Sequence, residues 1–276
     1  MDDGAITEMV RRALAEDLGT AGDVTTLATV PADATSAGRL VARQPGVVAG
    51  LDVAATVFDI VSDGGIAIEY ATQDGSRVQP GDMLATVTGP TRALLTAERT
   101  ALNFLGHLCG IATLTRRWVD AVEGTGAQIR DTRKTVPGLR ELEKYAVTCG
   151  GGVNHRMSLS DAALVKDNHV VAAGGVVPAF ELVRAAYPGL PIEIEVDTVA
   201  QAREVLDAGA DLVLLDNMSV ADMSAVVSYA NGRAKLEASG GLTLDNAPSV
   251  AATGVDYLSV GALTHSAPVL DIGLDM

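Results

Sequence analysis

The chain has 276 residues and a mass of 28.3 kDa, and 48% of its residues are hydrophobic but only 3% are aromatic. That length suits one large domain or two modest ones, and we expect two, with cores of Ala, Val, Leu and Ile. The formal net charge of −15 argues against nucleic-acid binding, which needs a basic face. Two cysteines and four histidines exclude a disulfide framework and a zinc ribbon.

The N-terminal sequence has acidic residues where a signal peptide needs basic ones. No stretch reaches the roughly 18 consecutive apolar residues of a membrane span. We therefore expect a cytoplasmic protein without a membrane partner.

Residues 1–110 predict a mixed α/β domain, an open sandwich of helices and short strands. Apolar residues recur at helical spacing from Ile6 to Leu18, and glycines end that helix at Gly19 and Gly22. A second helix is predicted over residues 53–60. Short strands are predicted over residues 39–42, 46–49, 66–71 and 83–87.

A long helix is predicted from residue 91 to about 122, and it connects this domain to the rest of the chain. Its middle, residues 100–115, contains no Asp, Glu, Lys or Arg, so we expect it to be buried between domains or subunits. The C-terminal tail, residues 263–276, is expected to pack back on the N-terminal domain.

Residues 111–262 show a repeated order of short apolar strand and amphipathic helix. Helices are predicted over 198–208 and 220–230, and strands over 128–131, 162–165, 192–196, 212–215, 235–238 and 257–260. This order implies a parallel sheet, and six such units favour a (β/α) barrel, complete or incomplete. An open doubly wound sheet is the alternative.

Polar side chains follow the predicted strands, where the working residues of barrel enzymes lie. The chain has only four lysines, and two of them, Lys134 and Lys166, come at the ends of different strands. Their compact ammonium groups suit phosphate oxygens, whereas the planar guanidinium groups of Arg133 and Arg156 suit carboxylates. A small polyanion is the indicated ligand, because residues 130–166 are net positive in an acidic protein. Within that segment we interpret residues 138–145 as a solvated charged helix.

Glu195 and Asp216 follow apolar strand residues and are expected at the same end of the sheet. Magnesium prefers one or two carboxylates together with substrate phosphates, so these two residues are candidate Mg²⁺ ligands. The alternative is that each carboxylate is only an ion-pair partner of a lysine.

Glycine loops follow the last two predicted strands, at Ser239-Gly240-Gly241 and Val260-Gly261-Ala262. Barrels often bind a phosphate there through loop amides, although Gly240 and Gly241 could also be ordinary turn residues. Three further glycines, residues 150–152, predict a mobile or tightly bent loop that delivers His155 and Arg156 to the site. His107 and His265 lack partners at metal-ligand spacing and are interpreted as structural.

The residues in this order resemble the quinolinate phosphoribosyltransferase family. The resemblance covers nearly the whole chain, from residue 23 to the last predicted strand. It rests on the sequences AERTALN (97–103), DTRKTVPGLR (131–140), GGGVNHR (150–156), KDNH (166–169), EIEV (193–196), LLDN (214–217), SGG (239–241) and SVG (259–261).

The resemblance implies an α/β-sandwich N-terminal domain on an incomplete α/β barrel. It implies transfer of phosphoribosyl from 5-phosphoribosyl 1-pyrophosphate to quinolinate with Mg²⁺, giving nicotinate mononucleotide, pyrophosphate and CO₂ in de novo NAD synthesis. It also implies a homodimer, with assembly beyond the dimer left open, in which Arg99 enters the neighbouring subunit's site.

The resemblance further implies roles for the candidate residues. The quinolinate carboxylates would be held by Arg133, His155, Arg156 and Lys166. Neighbouring anionic groups would be contacted by Thr132 and Lys134. Ribose hydroxyls and magnesium would be bound by Glu195 and Asp216. The 5-phosphate would be bound by the loops Ser239, Gly240, Gly241 and Val260, Gly261, Ala262.

Two rival functions remain at this point. A relative with the same barrel could act on a different pyridine acid, although Arg133, His155 and Arg156 favour an acceptor with two carboxylates. Residues 77–87 also resemble the hairpin of lipoyl and biotinyl carrier domains. Those domains modify a lysine, and this chain has no lysine before Lys134.

Overall fold

The computed structural model describes residues 3–276, which divide into two compact units. The first unit contains the described chain up to Arg116, together with Val136–Gly151 and Ser266–Met276. The second contains Arg117–Thr135 and Gly152–His265. The second unit is therefore interrupted once in sequence, by Val136–Gly151, which belongs to the first unit.

The elements are numbered in chain order. From the N-terminus to the long helix they are α1 (Asp3–Leu18), α2 (Val24–Thr29), β1 (Thr35–Ala42), β2 (Gly46–Val47), α3 (Leu51–Ser62), β3 (Ala67–Tyr70), β4 (Arg77–Val78), β5 (Met83–Pro90) and α4 (Thr91–Ala121). The remainder are β6 (Gln128–Arg130), α5 (Arg140–Cys149), β7 (Ala163–Val165), α6 (Asp167–Ala173), α7 (Val176–Ala186), β8 (Ile192–Val196), α8 (Val199–Asp207), β9 (Leu212–Asp216), α9 (Val220–Ala230), β10 (Lys235–Ser239), α10 (Ala247–Ala251), β11 (Tyr257–Ser259), α11 (Ala262–His265) and β12 (Ile272–Asp275).

The first unit is built on a four-stranded antiparallel sheet in the order β12-β1-β5-β3. The last strand of the chain is thus an edge strand of the N-terminal sheet, in register from Arg39 opposite Asp275 to Ala42 opposite Ile272. β1 is four residues longer than the predicted strand at 39–42, because its first half, TSAG, lacks the apolar pattern of its second half.

The C-terminal segment before β12 packs against α4. Leu270 donates its backbone N–H to the carbonyl of Gly106 at 3.0 Å. A Cβ atom on Gly110 would lie 2.1 Å from the carbonyl oxygen of Pro268, so a side chain there is sterically excluded. Glycine at this position of the helix lets the two backbones approach closely.

The second unit is built on six parallel strands in the order β6-β11-β10-β9-β8-β7. The order follows the chain from β7 to β11, and the first strand, β6, pairs with the last, β11. This is the order of a barrel with one open junction, between β6 and β7, and it differs from the reversed order of a doubly wound sheet. The prediction of an incomplete barrel after a mixed α/β domain is confirmed.

The barrel strands lie within about one residue of their predicted bounds, and the predicted helix at 220–230 matches α9. Local capping explains why the helices begin where they do. The Ser219 hydroxyl accepts the N–H of Asp222 at the start of α9, and the Thr198 hydroxyl accepts that of Gln201 at the start of α8. Asn231 ends α9 in the left-handed conformation at φ 46°.

The interpretation of residues 138–145 as a solvated helix is wrong for two residues of α5. Glu143 and Lys144 are both 0% exposed. Glu143 accepts the backbone N–H of Val136 at 3.0 Å and lies 2.9 Å from Nε2 of His107. A buried polar network therefore replaces water here, and His107 has the structural role that the sequence predicts for it.

The described structure also bears on disulfides and on membrane-spanning helices. Cys109 and Cys149 are both free. Among residues 3–276, no single helix is long and apolar enough to cross a membrane, and α6 with α7 reaches that length only as a pair bent by 89°.

Candidate active site

Alternation along the six parallel strands directs one set of side chains into the barrel. Residues two apart on a strand lie on the same face of the sheet, as Glu193 and Glu195 do on β8 and Glu237 and Ser239 do on β10. The carboxyl ends of these strands surround a cavity of about 440 Å³. It is lined by Thr132, Arg133, Lys134, His155, Arg156, Leu164, Lys166, Glu195, Leu214, Asp216, Glu237, Ser239 and Ser259.

Two groups of side chains lie at different depths of this barrel. We call the exposed or half-buried group the rim residues: Thr132, Lys134, Lys166, Glu195, Asp216 and Ser239. We call the deeper group the buried cluster: Arg130, His155, Glu193, Glu237 and Ser259.

Arg133 and Arg156 present two positive charges to the cavity. The Nε atoms of both are buried and make no hydrogen bond within the described part of the chain. Burial, and next the nearby guanidinium of Arg133, lower the pKa of Arg156, so its positive charge is incompletely compensated. Arg156 is held in place by a hydrogen bond of 2.6 Å from Nη1 to the carbonyl oxygen of Ala162. An anionic ligand would accept hydrogen bonds from both guanidinium groups and balance the positive charge of Arg156.

The backbone of Lys134 is fixed on both sides. Its N–H donates to the Thr132 hydroxyl at 3.0 Å, and its carbonyl accepts from the Thr264 hydroxyl at 2.8 Å. A Cβ atom on Gly261 would lie 3.0 Å from Cδ of Lys134. Lys134 and Gly261, which are far apart in sequence, are therefore neighbours.

Lys166 is the residue that precedes α6. Its backbone N–H donates to Nδ1 of His169 at 2.9 Å, which caps the start of this helix. The side chain of His169 thus positions the backbone of Lys166.

Glu195 and Asp216 have the donor chemistry of a magnesium site. Burial raises the pKa of Glu195, and the carboxylate of Asp216 raises it further, while Lys166 opposes the shift. One oxygen of Asp216 accepts from the side-chain amide of Asn217 at 2.7 Å. Two nearby carboxylates that repel each other in a cavity are a suitable oxygen donor set for a hard divalent cation.

The loop after β10 requires glycine for a steric reason. Gly240 has φ 81° and Gly241 has φ 61°, both in the left-handed region. A Cβ atom on Gly240 would lie 2.3 Å from Oδ1 of Asn217. The side chain that holds Asp216 therefore occupies the space that any other residue at position 240 would need.

The buried cluster is a network of charged and polar groups beneath the rim. Arg130 donates from Nη1 to Glu237 at 2.6 Å, and the hydroxyl of Ser259 donates to the other carboxylate oxygen of Glu237. His155 Nε2 lies 2.7 Å from Glu193 and 3.7 Å from Glu237. The backbone N–H of His155 donates to the carboxylate of Asp131 at 2.8 Å, which ties the glycine-containing segment to the end of β6.

Sequence reasoning named most of the cavity but not all of it. The structure brings together Thr132, Arg133, Lys134, His155, Arg156, Lys166, Glu195, Asp216 and Ser239. Gly261 lies beside Lys134 but outside the lining, as do Gly240, Gly241 and Val260 in the adjoining loops and Ala262 at the start of α11. Arg99 is exposed on α4 and belongs to the first unit.

The site residues predicted from the sequence do not include Arg130, Glu193, Glu237 or Ser259. The two-residue repeat of a β-strand is the sequence signal for two of them. It places Glu193 on the same face as Glu195, and Glu237 on the same face as Ser239.

A second, more apolar cavity of about 730 Å³ adjoins the first. It shares Arg133, Arg156, Leu164 and Lys166 with the first cavity, and α7 contributes apolar side chains such as Leu182. The cationic residues thus border both a polar and an apolar space.

Comparison with known proteins gives one consistent family. Residues 23–109 match the N-terminal domain of quinolinate phosphoribosyl transferase, and residues 111–275 match its C-terminal domain. The nicotinate-nucleotide pyrophosphorylase (carboxylating) of Mycobacterium leprae is 55% identical over 276 residues, covering 99% of this chain and 97% of that protein. A probable nicotinate-nucleotide pyrophosphorylase (carboxylating) of Bacillus subtilis is 39% identical, covering 98% of this chain and 93% of that protein. The solved structure of nicotinate-nucleotide pyrophosphorylase from Francisella tularensis has a TM-score of 0.95 at 37% identity, covering 100% of this chain and 97% of that one.

Proposed function

We infer that this chain, which belongs to the quinolinate phosphoribosyltransferase family, transfers phosphoribosyl from 5-phosphoribosyl 1-pyrophosphate to quinolinate. The products are nicotinate mononucleotide, pyrophosphate and CO₂, and the reaction belongs to de novo NAD synthesis. The observation that carries this assignment is the cavity itself. It combines two guanidinium groups whose buried Nε atoms make no hydrogen bond within the described part of the chain, two lysines at strand ends and two carboxylates.

The acceptor side of the cavity suits an acid with two carboxylates. Arg133, Arg156 and Lys166 supply three positive charges, and planar guanidinium groups bind carboxylates in a bidentate manner. His155 completes this side and accepts the backbone N–H of Arg156 at its Nδ1, at 2.7 Å. These four residues are our proposed quinolinate ligands.

The donor side suits a phosphorylated sugar. Lys134 and Thr132 contact its anionic groups, and Glu195 and Asp216 bind the ribose hydroxyls and the magnesium ion. The loops at residues 239–241 and 260–262 bind the 5-phosphate through backbone amides, since their glycines allow close approach. Magnesium, when bound, neutralises negative charge that develops on the leaving pyrophosphate.

The remaining chemistry is electrostatic. Departure of pyrophosphate leaves positive charge on the ribose, and the ammonium group of Lys134 stabilises the negative charge on the departing oxygens. Ribosylation makes the pyridine nitrogen cationic, which stabilises the carbanion that remains when the adjacent carboxylate leaves as CO₂. The protein therefore orients and stabilises its substrates without a covalent nucleophile.

Incubation of the purified protein with quinolinate, 5-phosphoribosyl 1-pyrophosphate and Mg²⁺ tests the function directly. We expect CO₂ and mononucleotide in equal amounts, and no turnover after a chelator removes divalent cations. Nicotinate is the matched control acceptor, because it lacks the second carboxylate. Preference for nicotinate would contradict the proposed substrate.

We also propose that the enzyme is a cytoplasmic homodimer in which Arg99 reaches the neighbouring subunit's site. Mixing Arg99→Ala subunits with Lys134→Ala subunits tests this arrangement. If Arg99 acts across the dimer, mixed dimers contain one site with both residues intact, and activity returns. Absence of any recovery in verified mixed dimers would place Arg99 elsewhere.

A further inference from the structure

The proposed reaction, on which this inference rests, consumes a proton at a defined atom. When the C2 carboxylate leaves as CO₂, the electron pair of the broken C–C bond stays on C2 of the ring. A C–H bond must then form at C2. The ring nitrogen of quinolinate brings no proton to its ribosylation, so the proton comes from a group in the cavity or from water.

Glu237 is a buried carboxyl group that also lines the cavity. Its side chain is 0% exposed, and it shares the cavity wall with Ser259 and His155. The Arg130 guanidinium and the Ser259 hydroxyl each donate to one of its oxygens. Glu237 is therefore held in one position, shielded from bulk water and adjacent to the space for substrate.

The charges around Glu237 favour its protonated form. Glu193 from β8 is a second buried carboxylate, and Arg130 from β6 is the cation that pairs with Glu237. Nε2 of His155 lies 2.7 Å from Glu193 and 3.7 Å from Glu237, and its Nδ1 accepts the Arg156 N–H. Two carboxylates buried this deeply repel each other and are poorly hydrated, which favours a proton on one of them.

The acidity of Glu237 agrees with this charge balance. Burial raises its pKa to about 7, and the Glu193 carboxylate contributes to the increase. His155, Arg130 and the hydrogen bond from Ser259 act in the opposite direction. A carboxyl group of this acidity can both hold a proton near neutral pH and release it to a carbanion.

We propose that Glu237 is a catalytic acid that delivers its carboxyl proton to C2 of the pyridine ring as CO₂ departs. The C–C bond to the carboxylate breaks, its electron pair forms the C–H bond, and Glu237 is left as a carboxylate paired with Arg130. A proton from solvent restores the acid after product release. The step is redox-neutral and requires no other reactant.

The other groups of the cavity are less suited to this step. Lys134 and Lys166 bind anions through their positive charge, which proton transfer would remove. Nε2 of His155 faces Glu193 at 2.7 Å, and Glu193 is not part of the cavity lining. Glu237 combines burial, contact with the cavity and a pKa raised to about 7.

The experiment is a single-turnover comparison of Glu237→Gln with the unsubstituted protein, in which pyrophosphate and CO₂ are followed separately. Glutamine keeps the shape of the side chain and cannot supply the proton. We expect pyrophosphate release to stay near its normal rate, because ribosyl transfer precedes the proton step. CO₂ release should fall by about 10²-fold, since CO₂ recombines with the unprotonated carbanion, and quinolinate mononucleotide should accumulate.

Glu237→Asp is the conservative control, and it should restore part of the CO₂ release because it retains an acid. Equal slowing of pyrophosphate and CO₂, or no slowing of either, would contradict the proposal. Failure of the unsubstituted protein to release either product would instead contradict the proposed function.

A second measurement does not depend on activity. The infrared difference spectrum between the unsubstituted protein and Glu237→Gln at pH 6 should contain the carbonyl band of a protonated carboxyl group, sensitive to D₂O. Absence of this band from the difference spectrum, when the Glu237→Gln protein folds normally, would overturn the proposal.

Discussion

The rim residues and the buried cluster are both charged, yet they differ in what compensates their charge. Lys134 and Lys166 on the rim are exposed. In the cluster, Glu237 is fully buried and takes hydrogen bonds from Arg130 and Ser259. Rim charges are thus available to a ligand, whereas Glu237 is held by partners within the cluster.

Binding and stability are thereby assigned to different side chains of one barrel. Exposed charges contribute little to the free energy of folding, so residues at strand ends can be selected for ligand binding. Buried charges must be matched to each other, because one unpaired partner costs several kcal/mol. Substitutions of rim residues should therefore lower turnover with little change in stability, whereas substitutions that unpair a buried charge should lower stability.

The largest effect is expected for the rim lysines. Lys134→Ala and Lys166→Ala should each lower turnover by about 10²-fold or more, because the first removes a charge that stabilises the leaving pyrophosphate and the second a charge that positions quinolinate. The melting temperature should hardly change, since an exposed side chain contributes roughly 0.5 kcal/mol or less. Steady-state kinetics and calorimetry on the same preparations measure both quantities.

Lys235 provides a matched control for these two lysines. Lys235 also belongs to the barrel sheet, but it lies at the start of β10 rather than after the end of a strand. Its ammonium pairs with Asp256 at 2.6 Å. Lys235→Ala should leave turnover unchanged. Equal loss of melting temperature and activity in the Lys134 and Lys166 variants would mean that these lysines are structural.

Arg130→Ala should have the opposite signature, a large loss of stability. It removes the guanidinium that pairs with Glu237 at 2.6 Å and that also lowers the pKa of Glu193, and we expect a loss of about 3 kcal/mol above pH 7, where Glu237 is ionised. Chemical denaturation measures it. Combining Arg130→Ala with Glu237→Gln should recover part of the loss, because the second change removes the stranded charge. A double variant that loses the sum of the two single effects would contradict the coupling.

The sequence predicted the rim better than the cluster for a physical reason. Rim residues stand at the ends of apolar strands, where Lys166 or Asp216 interrupts a hydrophobic pattern visibly. Glu193 and Glu237 lie inside strands, and such acids normally mark a solvated face. Their burial depends on partners from other strands, which a one-dimensional pattern does not contain.

The same limitation explains the error in α5. Glu143 is adjacent to other charged residues in sequence, so the pattern indicated a solvated helix. Its carboxylate is instead buried and satisfied by Val136 and His107, from two other segments of the chain. Spacing predicts elements well, whereas burial of a charge is decided by tertiary partners.

The pH dependence of stability gives a smaller test of the cluster. The pKa of Glu237 is about 7 in the folded protein against an ordinary value of 4.5. Folded protein therefore binds a proton that unfolded protein releases, so this contribution to stability is present below the ordinary pKa and is lost as pH rises through 7. Relative to Glu237→Gln, the unsubstituted protein should lose on the order of 2 kcal/mol between pH 5 and 8. Parallel stability curves for the two proteins would show that Glu237 is ionised throughout.

The smallest effect is expected for Thr264, whose hydroxyl holds the backbone of the rim residue Lys134. Thr264→Val removes the hydroxyl that donates to the Lys134 carbonyl at 2.8 Å, while it keeps nearly the same volume at a position that is 1% exposed. Loss of this hydrogen bond should cost about 1 kcal/mol of stability. Lys134 would keep its charge but lose one constraint on its backbone, so we expect turnover to fall by a few-fold, far less than in Lys134→Ala. Thr264→Ser retains the hydroxyl and should keep normal turnover, which separates the hydrogen bond from packing. If Thr264→Ser loses as much turnover as Thr264→Val, the methyl contact rather than the hydrogen bond positions Lys134.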